Sequence, residues 1–153
     1  MNTKMPRITK VLISIMMVWM AISLVVTEVS ADERKIIQNA KNECTNFSNG
    51  KFDMTEQAIT LNDFTGDGKP EKIVDSSQFS CSTAASLWGG SGGSYLWVVV
   101  DGKTYEFLAH KWQVVDMDNQ KVLLLAVHSS ECSDKIGPCY RAHVWSDGFR
   151  TTR

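Results

Sequence analysis

The stretch YLWVVVDGKTYEFL, Tyr95–Leu108, decides the fold. Two runs rich in β-branched and aromatic residues flank Asp101-Gly102. A two-residue hairpin turn needs positive φ at its central positions, and Asp-Gly supplies this at low strain, so the stretch predicts a β-hairpin. Two stretches downstream repeat the pattern. KWQVVDMDNQKVLLLAVHS, starting at Lys111, predicts a hairpin turning near Asp118-Asn119, and YRAHVWSDGFRTT, starting at Tyr140, predicts one turning near Asp147-Gly148. The run VLLLAV lacks alternation, which predicts a central strand covered on both faces. Trp97, Trp112 and Trp145 each fall in a predicted strand and are expected in the core.

Upstream of the hairpins, DERKIIQNAKNEC, Asp32–Cys44, predicts a helix capped by Asp32, with Ile36, Ile37 and Ala40 on its apolar side. Asn49-Gly50 then breaks it. A short strand is expected around Gln57–Leu61 and another in EKIVDSS after residue 70. The fold class that follows is α+β: one N-terminal helix, then a mostly antiparallel β-sheet of hairpins, about six to eight strands in all, with two disulfides.

The first thirty residues predict export. Lys4, Arg7 and Lys10 form a positive n-region, Val11–Val26 an apolar run, and Val29, Ser30 and Ala31 a small-residue pattern that signal peptidase can cut before Asp32. As a helix the apolar run reaches about 24 Å, short of a hydrocarbon core of about 30 Å. Residues 1–31 are therefore expected to be a signal peptide and residues 32–153 a single exported domain, periplasmic or secreted. An uncleaved anchor is the alternative, and no stable membrane insertion is expected after cleavage. The net charge of −1 for the whole chain becomes about −3 without the signal, so neither nucleic acid nor an anionic membrane surface is expected as a partner.

Four cysteines, Cys44, Cys81, Cys132 and Cys139, lie in the exported part. An even number behind a signal peptide predicts two disulfides, with three possible connectivities. The turn-forming insert SDKIGP favours Cys132–Cys139 and hence Cys44–Cys81. No Cys-x-x-Cys spacing supports zinc.

LNDFTGDGKPEKIV, Leu61–Val74, sets Asp63, Thr65, Asp67 and Glu71 at positions 1, 3, 5 and 9 of a loop, with Gly68 at position 6. Oxygen ligands at alternate positions converge when a loop curls, and calcium takes six to eight of them. The loop is not an EF-hand, because position 12 is Val74 and a strand is expected to follow. It resembles the calcium loop of FG-GAP and integrin-α-type propeller blades. That resemblance implies a structural Ca²⁺ held by Asp63, Thr65, Asp67, the Lys69 backbone carbonyl and Glu71. It covers about a dozen residues, so the loop is carried over and the propeller fold is not. More widely, DFTGDGKPEKIVDSSQFSC, the following Gly-rich stretch, LWVVV and HSSECSDKIGPCYRAHVWSDG are similar to a group of small exported proteins of Gram-negative bacteria. The similarity implies periplasmic export and the Cys132–Cys139 bridge, and no chemistry.

SLWGGSGGSYLW, Ser86–Trp97, has no Gly-Lys-Ser/Thr opening a helix, so it is not a phosphate loop. It reads as a turn that brings backbone close to a neighbour. Trp88, Gly89, Gly90, Gly92, Gly93 and Tyr95 form the expected ligand-contact face, with packing of Trp88 on the sheet edge as the plainer reading. His110, His128 and His143 show no His-Glu-x-x-His pattern, and HSSEC sets its polar residues on opposite faces if it is a strand. Asp116 and Asp118 read as part of a turn. The function expected is an exported, monomeric binding or interaction module for an unknown protein or small molecule, in its sharpest form an inhibitor of a cell-wall hydrolase. The alternative is a small periplasmic hydrolase using His128 or the Asp116/Asp118 pair, and a purely structural envelope protein is a third class.

Overall fold

A computed structural model describes residues 31–133, 137 and 139–151. The expected signal peptide, apart from its last residue, and most of the SDKIGP insert lie outside the described residues. Helix α1 (Ala31–Asn46) is followed by eleven strands: β1 (Phe52–Met54), β2 (Ile59–Asn62), β3 (Glu71–Asp75), β4 (Phe79–Cys81), β5 (Gly89–Gly90), β6 (Gly93–Val100), β7 (Lys103–Ala109), β8 (Lys111–Met117), β9 (Gln120–Val127), β10 (Cys139–Trp145) and β11 (Phe149–Thr151). Every pairing is antiparallel. The α+β class and both disulfides, Cys44–Cys81 and Cys132–Cys139, are as the sequence predicts.

The strands form two main sheets and a small ribbon. The first sheet has the order β2-β3-β6-β7, with the two-residue β5 also paired to β6. The second has the order β11-β10-β9-β8, and β1 pairs with β4 alone. The strand number exceeds the six to eight expected because β1, β4 and β5 are too short to leave a periodic signature. The predicted turns are where the chain reverses. Asp101 and Gly102 have φ of 47° and 76°, and Asp118 and Asn119 have φ of 45° and 68°. These are the left-handed values a tight two-residue hairpin requires.

Alternation along β3 and β6 sorts the layers. Ile73, opposite Val98, lies on one face with Leu96 and Val100. With Leu123, Leu125 and Val127 of β9 these side chains form the main core between the two sheets. Lys72 and Val74, opposite Val99 and Trp97, lie on the other face, where Lys72 pairs with Glu33 of α1. The helix therefore packs on the side of the first sheet away from the second. Glu33, Ala40 and Cys44 form its buried line. The helix begins at Ala31, so Asp32 sits inside the first turn and not at the cap, where its charge still complements the helix dipole. Past the helix, Ser48 and Asn49 take positive φ, and the Gly50 amide returns to the Cys44 carbonyl at 3.1 Å.

β9 is central in its sheet, between β8 and β10, as VLLLAV suggests. Its second face carries Val122 and Ala126, both buried, and a half-buried Leu124. Trp112 and Trp145 pack against the main core. The Trp112 indole donates at 2.7 Å to Asp75, a buried carboxylate on the facing sheet. This satisfies a polar group that would otherwise be costly there. Trp97 departs from expectation. Its odd register places it on the helix side of the sheet, away from the main core.

Candidate functional site

The acidic loop connects β2 to β3. Gly66 and Gly68 take φ of 76° and 82°, which lets the chain curl tightly. Asp63 accepts the Gly66 amide at 2.7 Å on one oxygen and the Gly68 amide at 2.9 Å on the other. Asp67 accepts the Lys69 amide at 2.8 Å. Glu71, buried at the start of β3, accepts the Phe64 amide at 2.5 Å and the Thr65 hydroxyl at 3.0 Å. One carboxylate oxygen from each of Asp63, Asp67 and Glu71 lies within 4.8 Å of the others. Ligands on opposite sides of an ion with bonds of about 2.3–2.6 Å stand about 5 Å apart, so this cluster can hold a metal ion. The same loop buries Phe64 in the main core, edge-on to Phe149 at 5.2 Å. The acidic cluster and the end of the core are thus one mechanical unit.

The Gly-rich stretch is a tight hairpin, β5 to β6, and its residues divide between two places. Trp88 is buried with Ala40, Cys44 and Cys81 and donates to Glu43 of α1 at 2.8 Å. Tyr95 ends a ladder of near-parallel rings. It lies 5.6 Å from Trp97 at 15°, and Trp97 lies 6.4 Å from Phe79 at 23°. Trp97 donates to Glu106 at 2.8 Å. Tyr95, Trp97 and Trp88 line a groove of about 540 Å³ against the helix, with Glu43, Glu106 and Asn39 as its polar groups. Gly92 instead lines a second cleft, on the opposite side of the first sheet. Gly93 is required by close approach, since a Cβ there would stand 2.2 Å from the backbone carbon of Ala109, whereas one on Gly89 would meet first Ser94 Oγ at 2.9 Å, a side chain that can turn away. Gly90 faces open space. Sequence reasoning missed Trp97, Glu43 and Glu106 as groove residues. Tyr95 and Trp97, two apart on one strand, share a face by period alone, and that signal was there to be used.

The residues proposed for hydrolysis are partly brought together. β9 ends at Val127, and Ser129–Glu131 form a 3₁₀ turn rather than the strand that would splay HSSEC. His128 Nδ1 caps this turn, accepting the Ser130 amide at 3.2 Å, with Ser130 Oγ at 2.9 Å. Both residues line the second cleft together with Glu131 and His143. Burial and the neighbouring Arg141 charge hold His143 below the ordinary imidazole pKa, so it is neutral near pH 7. Asp116 pairs with Lys121 at 2.6 Å on an exposed strand end, and Asp118 lies in the turn beyond β8, so the two do not form a carboxylate pair across a cavity.

No helix among the described residues is long and apolar enough to cross a membrane. All four cysteines are paired, which fits an oxidising compartment. Comparison with family models, curated proteins and solved structures returned no match.

Proposed function

We propose that the chain is an exported, monomeric binding module whose contact face is the groove between α1 and the first sheet. One observation supports this most: an open groove of about 540 Å³ lined by Trp88, Tyr95 and Trp97, within the usual 300–1,000 Å³ of ligand sites. Both indole N–H groups that reach it already donate to Glu43 and Glu106. What remains facing a ligand is aromatic surface, carboxylate oxygens and the Asn39 amide. That combination suits a ligand that donates hydrogen bonds and has an apolar face, the chemistry of a saccharide. Titration with a chito-oligosaccharide, followed by tryptophan fluorescence, is expected to give a saturable change that Tyr95→Ala weakens by about tenfold, the loss of roughly one aromatic contact. A protein partner on the same face, such as a muramidase inhibited by this chain, predicts slowed hydrolysis by a panel of muramidases, again sensitive to Tyr95→Ala. The absence of both glycan binding and muramidase inhibition would end the proposal.

The acidic loop serves the module as a structural calcium site in this reading, with Asp63, Thr65, Asp67, Lys69 through its carbonyl, and Glu71 as ligands. Three carboxylates gathered at one point repel one another, and a cation relieves that repulsion while pinning Phe64 in the core. Calcium that binds only the folded state stabilises it by about 1.4 kcal/mol at ten times its dissociation constant and about 2.7 kcal/mol at a hundred times. Thermal melts in calcium, magnesium and chelator are expected to show a calcium-specific rise in midpoint, lost in Asp63→Asn/Asp67→Asn. Identical melts in all three conditions would reduce the loop to a polar turn. The hydrolase reading rests on the 2.9 Å contact of His128 with Ser130. It lacks a carboxylate bonded to the His128 ring among the described residues. Ester hydrolysis abolished by Ser130→Ala would revive it.

A further inference from the structure

The inner face of a sandwich strand should be apolar, and β10 breaks that rule. Arg141 pairs in register with Leu125, and His143 with Leu123. Both side chains therefore leave the sheet on the same face as the main core; His143 stays half-buried, while Arg141 runs out to the rim, its side chain 41% exposed. Polar residues at these register positions break the apolar pattern of the inner face, and such breaks are expected at functional sites. Here the sandwich opens at that end into a cleft of about 450 Å³, large enough for a small ligand.

The walls and the polar groups of this cleft have different characters. Phe107, Leu108, Leu125 and Val127 supply apolar walls from both sheets. Among the polar groups Arg141 alone can only donate, while the serines and histidines can donate or accept. Arg141 donates to the Glu131 backbone carbonyl and pairs with the Glu131 carboxylate at 3.5 Å, and its remaining guanidinium N–H groups meet no acceptor among the described residues. His128 accepts the Ser130 amide on Nδ1, which places the proton of the neutral ring on Nε2. With Nδ1 unprotonated, the Ser130 hydroxyl 2.9 Å away donates to it, and the Ser91 hydroxyl, which can donate or accept, also faces the cleft. The carboxylate in the cleft, Glu131, is already engaged by Arg141. The cleft therefore offers one guanidinium fork and one imidazole N–H, bounded by apolar walls.

We propose that this cleft binds a small organic carboxylate with an apolar body, its carboxylate held by Arg141 and its body against Phe107 and Leu125. A guanidinium meets a carboxylate through two parallel N–H···O bonds, which one edge of Arg141 can offer while the other stays on Glu131. The site is separate from the α1 groove, so it stands or falls independently of glycan or protein binding there.

The test uses the oxidised protein and three probes: phenylacetate, phenylacetamide and phenyl phosphate. Amide NMR shifts at Arg141, His143 and Ser130 report binding, and thermal melts report folding. Phenylacetate is expected to saturate and to bind about tenfold or more tightly than the amide, as loss of a charge-assisted pair requires. Arg141→Gln is expected to abolish the preference without lowering the melting midpoint, and Arg141→Lys to keep part of it. Should Arg141→Gln not fold, His128→Asn, whose short side chain can still accept the Ser130 amide but places no N–H where Nε2 stood, is expected to weaken phenylacetate alone. Shifts that never saturate, equal affinity for acid and amide, or binding unchanged in these variants would overturn the assignment. Tighter binding of phenyl phosphate would overturn the choice of carboxylate.

Discussion

Gly93→Ala is expected to lower the stability of the oxidised protein by about 4 kcal/mol or more, a magnitude reserved for backbone strain combined with overpacking. Two independent costs coincide at this residue. Its φ of 107° lies where an L-residue is strained. A Cβ there would also stand 2.2 Å and 2.3 Å from the Ala109 carbonyl carbon and oxygen, and 2.6 Å from the His110 nitrogen. Those atoms are backbone at the corner where β7 passes into β8, and the His110 amide is bonded to the Ala126 carbonyl at 2.8 Å. None can move without disturbing both sheets. Gly90→Ala is the control. Its Cβ would meet nothing within 4 Å, and the expected change is within about 0.5 kcal/mol, as at an ordinary surface position. Chemical denaturation of both variants checks the contrast, and equal stabilities would show that the hairpin tolerates a shift at the corner.

The second large effect is expected from Cys44→Ser/Cys81→Ser. The bridge closes a loop of sequence separation 37, and the chain-entropy relation assigns such a loop about 4 kcal/mol. Cys132–Cys139 spans only 7 residues, which the same relation values at about 2 kcal/mol. Cys44 is fully buried at the end of α1, and Cys81 lies in β4 beside Trp88. The longer bridge also holds the helix to the β1–β4 ribbon, where Phe52, Phe79 and Trp88 meet edge to face at 5.2–5.5 Å. A fall in melting midpoint of roughly 10–20 °C is expected, with tryptophan emission changed by exposure of Trp88. The double variant of Cys132 and Cys139 should melt closer to the parent. The reverse order of stabilities would place the weight of the fold in the second sheet.

The hairpins were legible because each is encoded locally. Asp101-Gly102 accepts left-handed backbone at little cost, and the alternation on either side sets the register of β6 against β7. Asp118-Asn119 and Asp147-Gly148 act in the same way. The helix and the curl of the acidic loop around Gly68 are likewise set by residues a few positions apart. The β1–β4 ribbon was not legible. Three-residue strands carry no period, and Phe52–Met54 finds Phe79–Cys81 only across an intervening pair of strands.

Backbone sterics and neighbouring side chains set the hairpin turns, the longer strands and the helix at residues 31–46, and these were readable from the chain alone, whereas Cys44–Cys81, 37 residues apart, followed only by elimination. Only the tertiary structure decided which face of each strand is buried and against what. It turned Trp97 toward the helix side of the sheet, stacked on Tyr95 and bonded to Glu106. It also set Arg141 and His143 of β10 around one cleft with His128 and Ser130, which lie in the turn after β9. A period of two divides residues into two faces but does not say which face is covered. That choice belongs to the apolar area buried when the helix and both sheets close on one another, and it requires all the layers at once.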